Sequence, residues 1–152
     1  MSILKINLFL FWKLPAAFWC GVRVYALDRY SCVVRVRHRW INQNPFGSMY
    51  FAVQAMAAEL STGALLVYTL RALRCDCHML VLRHEGEFIK KARGRISFTC
   101  TNGNEVTACL QNITEEPVVL TLQSVGHDES GDVVARFTFT WSLKLKRTLK
   151  PA

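Results

Sequence analysis

Hydrophobic and polar positions divide this chain into a short apolar start, two alternating runs, one long apolar run and a series of further alternating runs. Residues 3–12 are mostly apolar with Lys5 among them, which predicts a short amphipathic N-terminal helix packed on the domain. Residues 21–27 and 32–40 read as strands joined by a polar turn around Asp28. In the second, Val34, Val36 and His38 point one way and Arg35, Arg37 and Arg39 the other, the pattern of a sheet with one buried and one basic face. Asn, Gln and Pro break the chain over 41–46, and Pro45 disfavours helix at Asn44, which places Asn44 just outside the next element. That element, residues 48–70, is apolar on every side and predicts a buried helix with Arg71 and Arg74 at its negative end. Strands are expected over 78–91, bent near Gly86, and over 95–101. A turn at Asn102-Gly103-Asn104 and a short helix over 105–115 follow, then a closing hairpin of 117–126 and 133–146. This order predicts an α+β fold, a curved antiparallel sheet wrapped around one long central helix. No repeat or linker divides the 152 residues, so a single domain over 1–152 is expected.

Between Trp40 and Leu70 the only charged side chain is Glu59, in the middle of the predicted helix. A carboxylate there is expensive to bury unless it is paired or used. Two readings stand at this point: a structural acid held by a neighbouring Arg or backbone amide, or a functional one. The apolar run of 22 residues over 49–70 is long enough for a membrane span, but an acid near the bilayer centre costs about 2.5–3.5 kcal/mol. Ser61, Thr62 and Gly63 dilute the run further, so no span is expected. On a helix Glu59 neighbours Ala52, Ala55, Met56, Thr62, Gly63 and Leu66. The small side chains among them leave room for a ligand, or else let the sheet approach closely.

Charge and cysteine usage narrow the classes. The formal net charge of +8 favours acidic partners without choosing among them. Aromatic and basic residues do not interleave, and no nucleic-acid motif is present. Arg83, Lys90, Lys91, Arg93 and Arg95 are candidate contacts for phosphates. Six cysteines are scattered, and Cys75-x-Cys77 followed by His78 lacks the second ligand pair of a zinc site. No metal or cofactor is expected, and the thiols read as small core groups in a reducing cytoplasm. Lys13 and Pro15 interrupt the apolar start, and bulky Phe18-Trp19 stands where small residues should precede a signal cleavage site.

The stretch Asn44-Pro45-Phe46-Gly47-Ser48-Met49-Tyr50-Phe51-Ala52, with Glu59 one helical stretch later, resembles the hotdog-fold acyl-CoA thioesterases of the phenylacetyl-CoA and 4-hydroxybenzoyl-CoA thioesterase type. The nearest pattern is a bacterial branch with the motif Asn-x-x-Gly-Ser/Thr-x-Phe-Gly-Gly. Residues 125–135 followed by Trp141 resemble that branch's closing hairpin. The resemblance implies a hotdog fold and hydrolysis of an acyl-CoA or acyl carrier thioester. It implies Glu59 as base or nucleophile, Asn44 as the residue holding the thioester carbonyl or water, and the backbone N–H of Phe51 as oxyanion donor. Gly47, Ser48, Tyr50, Ala52, Ala55, Met56, Thr62 and Gly63 become the expected substrate contacts. Phe51 and Ala52 stand where the motif has glycines, and Tyr50 where many members have His. A backbone N–H survives any side chain but Pro, so the donor persists. Asn44 and Glu59 are 15 residues apart, roughly 20 Å along a helix, too far for one subunit to bring both to one thioester. The resemblance implies a homodimer or homotetramer in which the acid of one subunit meets the loop and helix start of another. A non-catalytic acyl-CoA binding protein is the alternative. A hotdog dehydratase would need a His near the helix start, and none lies between His38 and His78.

Overall fold

Alternation builds the sheet. The computed structural model describes residues 2–146, so both ends of the expected 1–152 domain lie outside the described residues. In β1 (Arg23–Leu27) and β2 (Cys32–Arg37), Val24, Cys32, Val34 and Val36 turn inward. After β3 (Cys77–Phe88), β4 (Arg95–Cys100) buries Ile96, Phe98 and Cys100. Strand β5 (Val118–His127) leads into β6 (Val133–Leu145), which buries Phe137, Phe139, Trp141 and Leu143 at every second position. The six strands form one sheet in the order β1-β2-β4-β5-β6-β3, with every neighbouring pair antiparallel.

The sheet curves around α3 (Phe51–Ala72), whose Ala57, Ala58, Leu65 and Leu66 are fully buried. Its polar core contact is satisfied: Ser61 Oγ donates to the Ala58 carbonyl (2.7 Å) and lies 2.8 Å from Ser124 Oγ on β5. By length and composition alone this helix could cross a membrane, yet here it is the core helix of the sheet. Helix α4 (Gly103–Gln111) packs Val106 and Leu110 into the same core.

The two sheet edges differ, and the difference bears on assembly. Edge strand β1 is covered by the N-terminal helix α1 (Ile3–Lys13). The Asn7 side chain donates to the Val24 carbonyl and accepts from the Val24 N–H, both at 3.0 Å. Helix α1 buries Ile6 and Leu10 and leaves Leu4, Leu8 and Trp12 in solvent. A separate turn of helix, α2 (Pro15–Trp19), begins with Pro15 at its first position, so the expected single N-terminal helix is a pair. The opposite edge, the 12-residue β3, is uncovered and exposes Leu80, Leu82 and Phe88.

Three expectations change in detail. The central helix begins at Phe51, three residues later than the pattern suggests, because Tyr50 is extended (ψ 137°) and residues 44–49 form a hydrogen-bonded turn. Residues 38–42 leave the sheet for a short 3-10 turn, Trp40–Asn42. Strand β3 is irregular between Val81 and Arg83 rather than at Gly86. Gly86 is instead a point of close packing: a Cβ there would lie 2.7 Å from the Phe137 ring.

Candidate active site

Glu59 sits part-buried on α3 at a mostly apolar cavity of about 440 Å³ between α3 and α1, floored by Trp141 and Met79. Two neighbours shape its surroundings. A Cβ on Gly63 would lie 3.3 Å from both Glu59 Oε1 and Trp141, so glycine leaves the carboxylate its space. Trp141 is held against the helix by its Nε1–H, which donates to Thr62 Oγ1 (3.2 Å), and Thr62 in turn donates to the Glu59 carbonyl (2.9 Å). Among the described residues no hydrogen bond or ion pair holds the Glu59 carboxylate.

Desolvation raises the Glu59 pKa above its ordinary 4.5. The native chain therefore holds this proton more tightly than the unfolded chain. The contribution of Glu59 to stability is therefore fullest below pH 4.5 and declines as pH rises through the raised native value. An acid kept at that cost, with no partner, is a poor structural element and a better base than an ordinary glutamate.

The second half of the expected site lies elsewhere in the subunit. Asn44, Ser48, Phe51 and Gln54 line a separate cavity of about 350 Å³ with Phe88 and Lys91. Asn44 organises the turn: its Oδ1 accepts from the N–H groups of Phe46 (3.0 Å) and Ser48 (3.2 Å), and its Nδ2 donates to Ser48 Oγ (3.1 Å) and the Met49 carbonyl (3.4 Å). Gly47 takes the left-handed conformation this turn needs (φ 71°) and its carbonyl accepts from Arg93 Nε. Buried Asn42 anchors the loop further back through the Cys20 and Arg37 carbonyls, and its own carbonyl accepts from the Tyr50 N–H (2.8 Å). The result presents the start of α3 without a side-chain cap, so the first-turn amides of Phe51 and Ala52 are unclaimed within the helix. The Phe51 ring lies half exposed between Tyr50 and Phe88.

Gly63 is thus the one expected substrate contact beside the Glu59 carboxylate. Gly47 and Tyr50 belong to the turn and helix start, and buried Thr62 is bonded to Trp141. Ala52, Ala55 and Met56 line neither cavity. Sequence reasoning passed over Gln54, which is 5% exposed with its Oε1 unpartnered while its Nε2 donates to the Met49 carbonyl. Its signal was plain, an amide in an otherwise apolar stretch.

The basic candidates are largely engaged. Lys90 pairs with Asp128 and Asp132, Arg83 with Glu85 and Arg95 with Glu129. Lys91 remains exposed at the rim of the Asn44 cavity. Cysteine chemistry is suppressed: burial pushes the Cys32 and Cys77 thiols up to about 12 and Cys100 up to about 11, so these three stay protonated near neutrality.

Residues 8–143 match the family described as Domain of unknown function (DUF4442). The chain belongs to the DUF4442 family. No curated protein matches it in sequence. Several solved structures share the fold of this DUF4442 chain. PA5026 from Pseudomonas aeruginosa, described as a protein of unknown function and probable thioesterase, superposes with a TM-score of 0.79 at 23% identity, over 93% of this chain and 95% of that one. Thioesterase HI1161 from Haemophilus influenzae gives 0.75 at 12% identity over 99% and 96%. A mutant of thioesterase PA1618 from Pseudomonas aeruginosa gives 0.73 at 13% over 96% of each chain. The DUF4442 chain therefore has the hotdog fold of the thioesterase-like structures.

Proposed function

We propose that this protein is a homodimeric or homotetrameric thioesterase that hydrolyses an acyl-CoA or acyl carrier thioester, with Glu59 as its base. The observation that carries the reading is the Glu59 carboxylate: part-buried, unpartnered among the described residues, raised in pKa, and set beside Gly63 at the end of an apolar cavity. Fold neighbours that are themselves named thioesterases support it. The long uncovered β3 edge supports a second copy of the chain as its partner, since an exposed apolar edge is a template for strand pairing.

In the proposed reaction Glu59 takes a proton from water while the oxygen attacks the thioester carbon. The carbonyl oxygen becomes an oxyanion, stabilised by the Phe51 N–H at the positive end of the partner copy's α3. Collapse breaks the C–S bond, and Glu59 returns its proton toward the departing thiolate, leaving a free carboxylate and a thiol. Asn44 positions this donor by shaping the turn before it. Gln54 lines the same cavity and braces the turn, its Nε2 donating to the Met49 carbonyl. Lys91 suits a phosphate at the rim. A cytoplasmic location suits six unbridged thiols.

A second reading, acyl-CoA binding without turnover, is favoured by Phe51 and Ala52 standing in place of glycines. Thiol release from a panel of aliphatic and aromatic acyl-CoAs by the pure protein separates the two. Hydrolysis is expected, with a rate that falls as pH drops through an apparent pKa above 4.5, because the base must be ionised. Tight acyl-CoA binding with no thiol released would establish the second reading instead.

A further inference from the structure

We infer that the cavity between α1 and α3 is a groove for a straight acyl chain, with the N-terminal helix as its outer wall. The inference rests on the thioesterase reading for its orientation, the thioester end lying at Glu59. On α3 the groove is lined by Glu59, Gly63, Val67 and Arg71, which recur at one-turn spacing on a single face. From the first to the last is about 18 Å at 1.5 Å per residue. An extended alkyl chain with bonds of about 1.5 Å advances roughly 1.25 Å per carbon, so this length matches about 10 to 14 carbons. An aryl group would fill a short part of it. The facing wall comes from Ile6, Phe9 and Leu10 on one face of α1 and from Leu14, which caps its end. The two helices face each other across this space instead of closing on it, and the Asn7 bonds to Val24 fix α1 to the sheet edge beside it. Such an arrangement is a preformed apolar slot, with polar groups confined to Glu59 and to the Lys5 and Arg71 positions.

Two arms test the groove independently of hydrolysis and through it. In calorimetry, the wild-type protein should bind free dodecanoate with a negative heat-capacity change and bind benzoate at least about tenfold more weakly, each buried methylene adding to affinity. Phe9→Asp places a charge in the outer wall at a half-exposed position, and with an unchanged melting temperature should weaken dodecanoate binding at least about tenfold. Val67→Trp blocks the middle of the groove. It should lower the ratio of kcat/KM for dodecanoyl-CoA to that for butyryl-CoA at least about tenfold. Dodecanoate binding that Phe9→Asp weakens, without any thiol release from acyl-CoAs, would keep the groove and discard the hydrolase reading. Dodecanoate binding that is absent in the wild type, or unchanged in Phe9→Asp, would overturn the groove, as would an unchanged chain-length ratio in a folded Val67→Trp protein.

Discussion

Glu59→Gln should lower thioester hydrolysis at least about a hundredfold, the usual scale for removing a general base. The amide keeps the shape of the side chain beside Gly63 and Trp141 and removes only the proton acceptor. Stability should move the other way. The native state holds Glu59 at a raised pKa, so at neutral pH its ionisation works against folding, and a neutral amide removes that burden. The melting temperature of Glu59→Gln at pH 7 should equal or exceed that of the wild type, and the difference should vanish at pH below 4.5, where the carboxyl is protonated in both states. An inactive protein that is no less stable marks a residue kept for chemistry. A variant with lower melting temperature and unchanged hydrolysis would make Glu59 a structural acid.

Placing Lys at Leu80 and Leu82 together should convert the assembly to monomers and abolish most hydrolysis. Both side chains are exposed on the uncovered edge strand β3, and lysine on an edge is a known bar to strand pairing. Because Glu59 and the Phe51 amide lie in separate cavities of one chain, losing the partner should leave each half of the site intact but apart. Sedimentation would read the assembly and thiol release the activity, with a loss of at least about a hundredfold expected when the oxyanion donor is withdrawn. A monomer with full activity would show that one chain suffices.

Much of this arrangement was legible in the pattern of residues. The sheet strands announced themselves by alternation, as in Cys32, Val34 and Val36. Glu59 stood out because one charge in a long apolar run is costly wherever it is buried. Local meaning was harder to read. Gly86 suggested a bend, but its glycine answers to the Phe137 ring packed against it from the neighbouring strand. Ser48 suggested a helix start, but it serves the Asn44 turn, and the helix begins after it. The basic run from Arg83 to Arg95 suggested a phosphate surface. Yet Lys90 and Arg95 are claimed by the turn that carries Asp128, Glu129 and Asp132, far away in sequence, and Arg83 pairs with Glu85 beside it. The groove was invisible for the same reason, since its walls are drawn from α1, α3, β3 and β6, and no local pattern records their convergence.

The central claim is a site shared between two copies of the chain, and subunit mixing tests it most directly. Phe51→Pro removes the proposed oxyanion N–H at a position where proline is tolerated, the first residue of a helix, after a residue already extended at ψ 137°. Glu59→Gln and Phe51→Pro should each be nearly inactive alone. When the two are unfolded together and refolded, half of the dimers are mixed, and each mixed dimer holds one site with both Glu59 and the Phe51 amide of the other subunit. The account predicts that the mixture recovers about a quarter of wild-type thiol release, as isologous pairing requires. A mixture no more active than its parents, from proteins shown to exchange subunits, would contradict it.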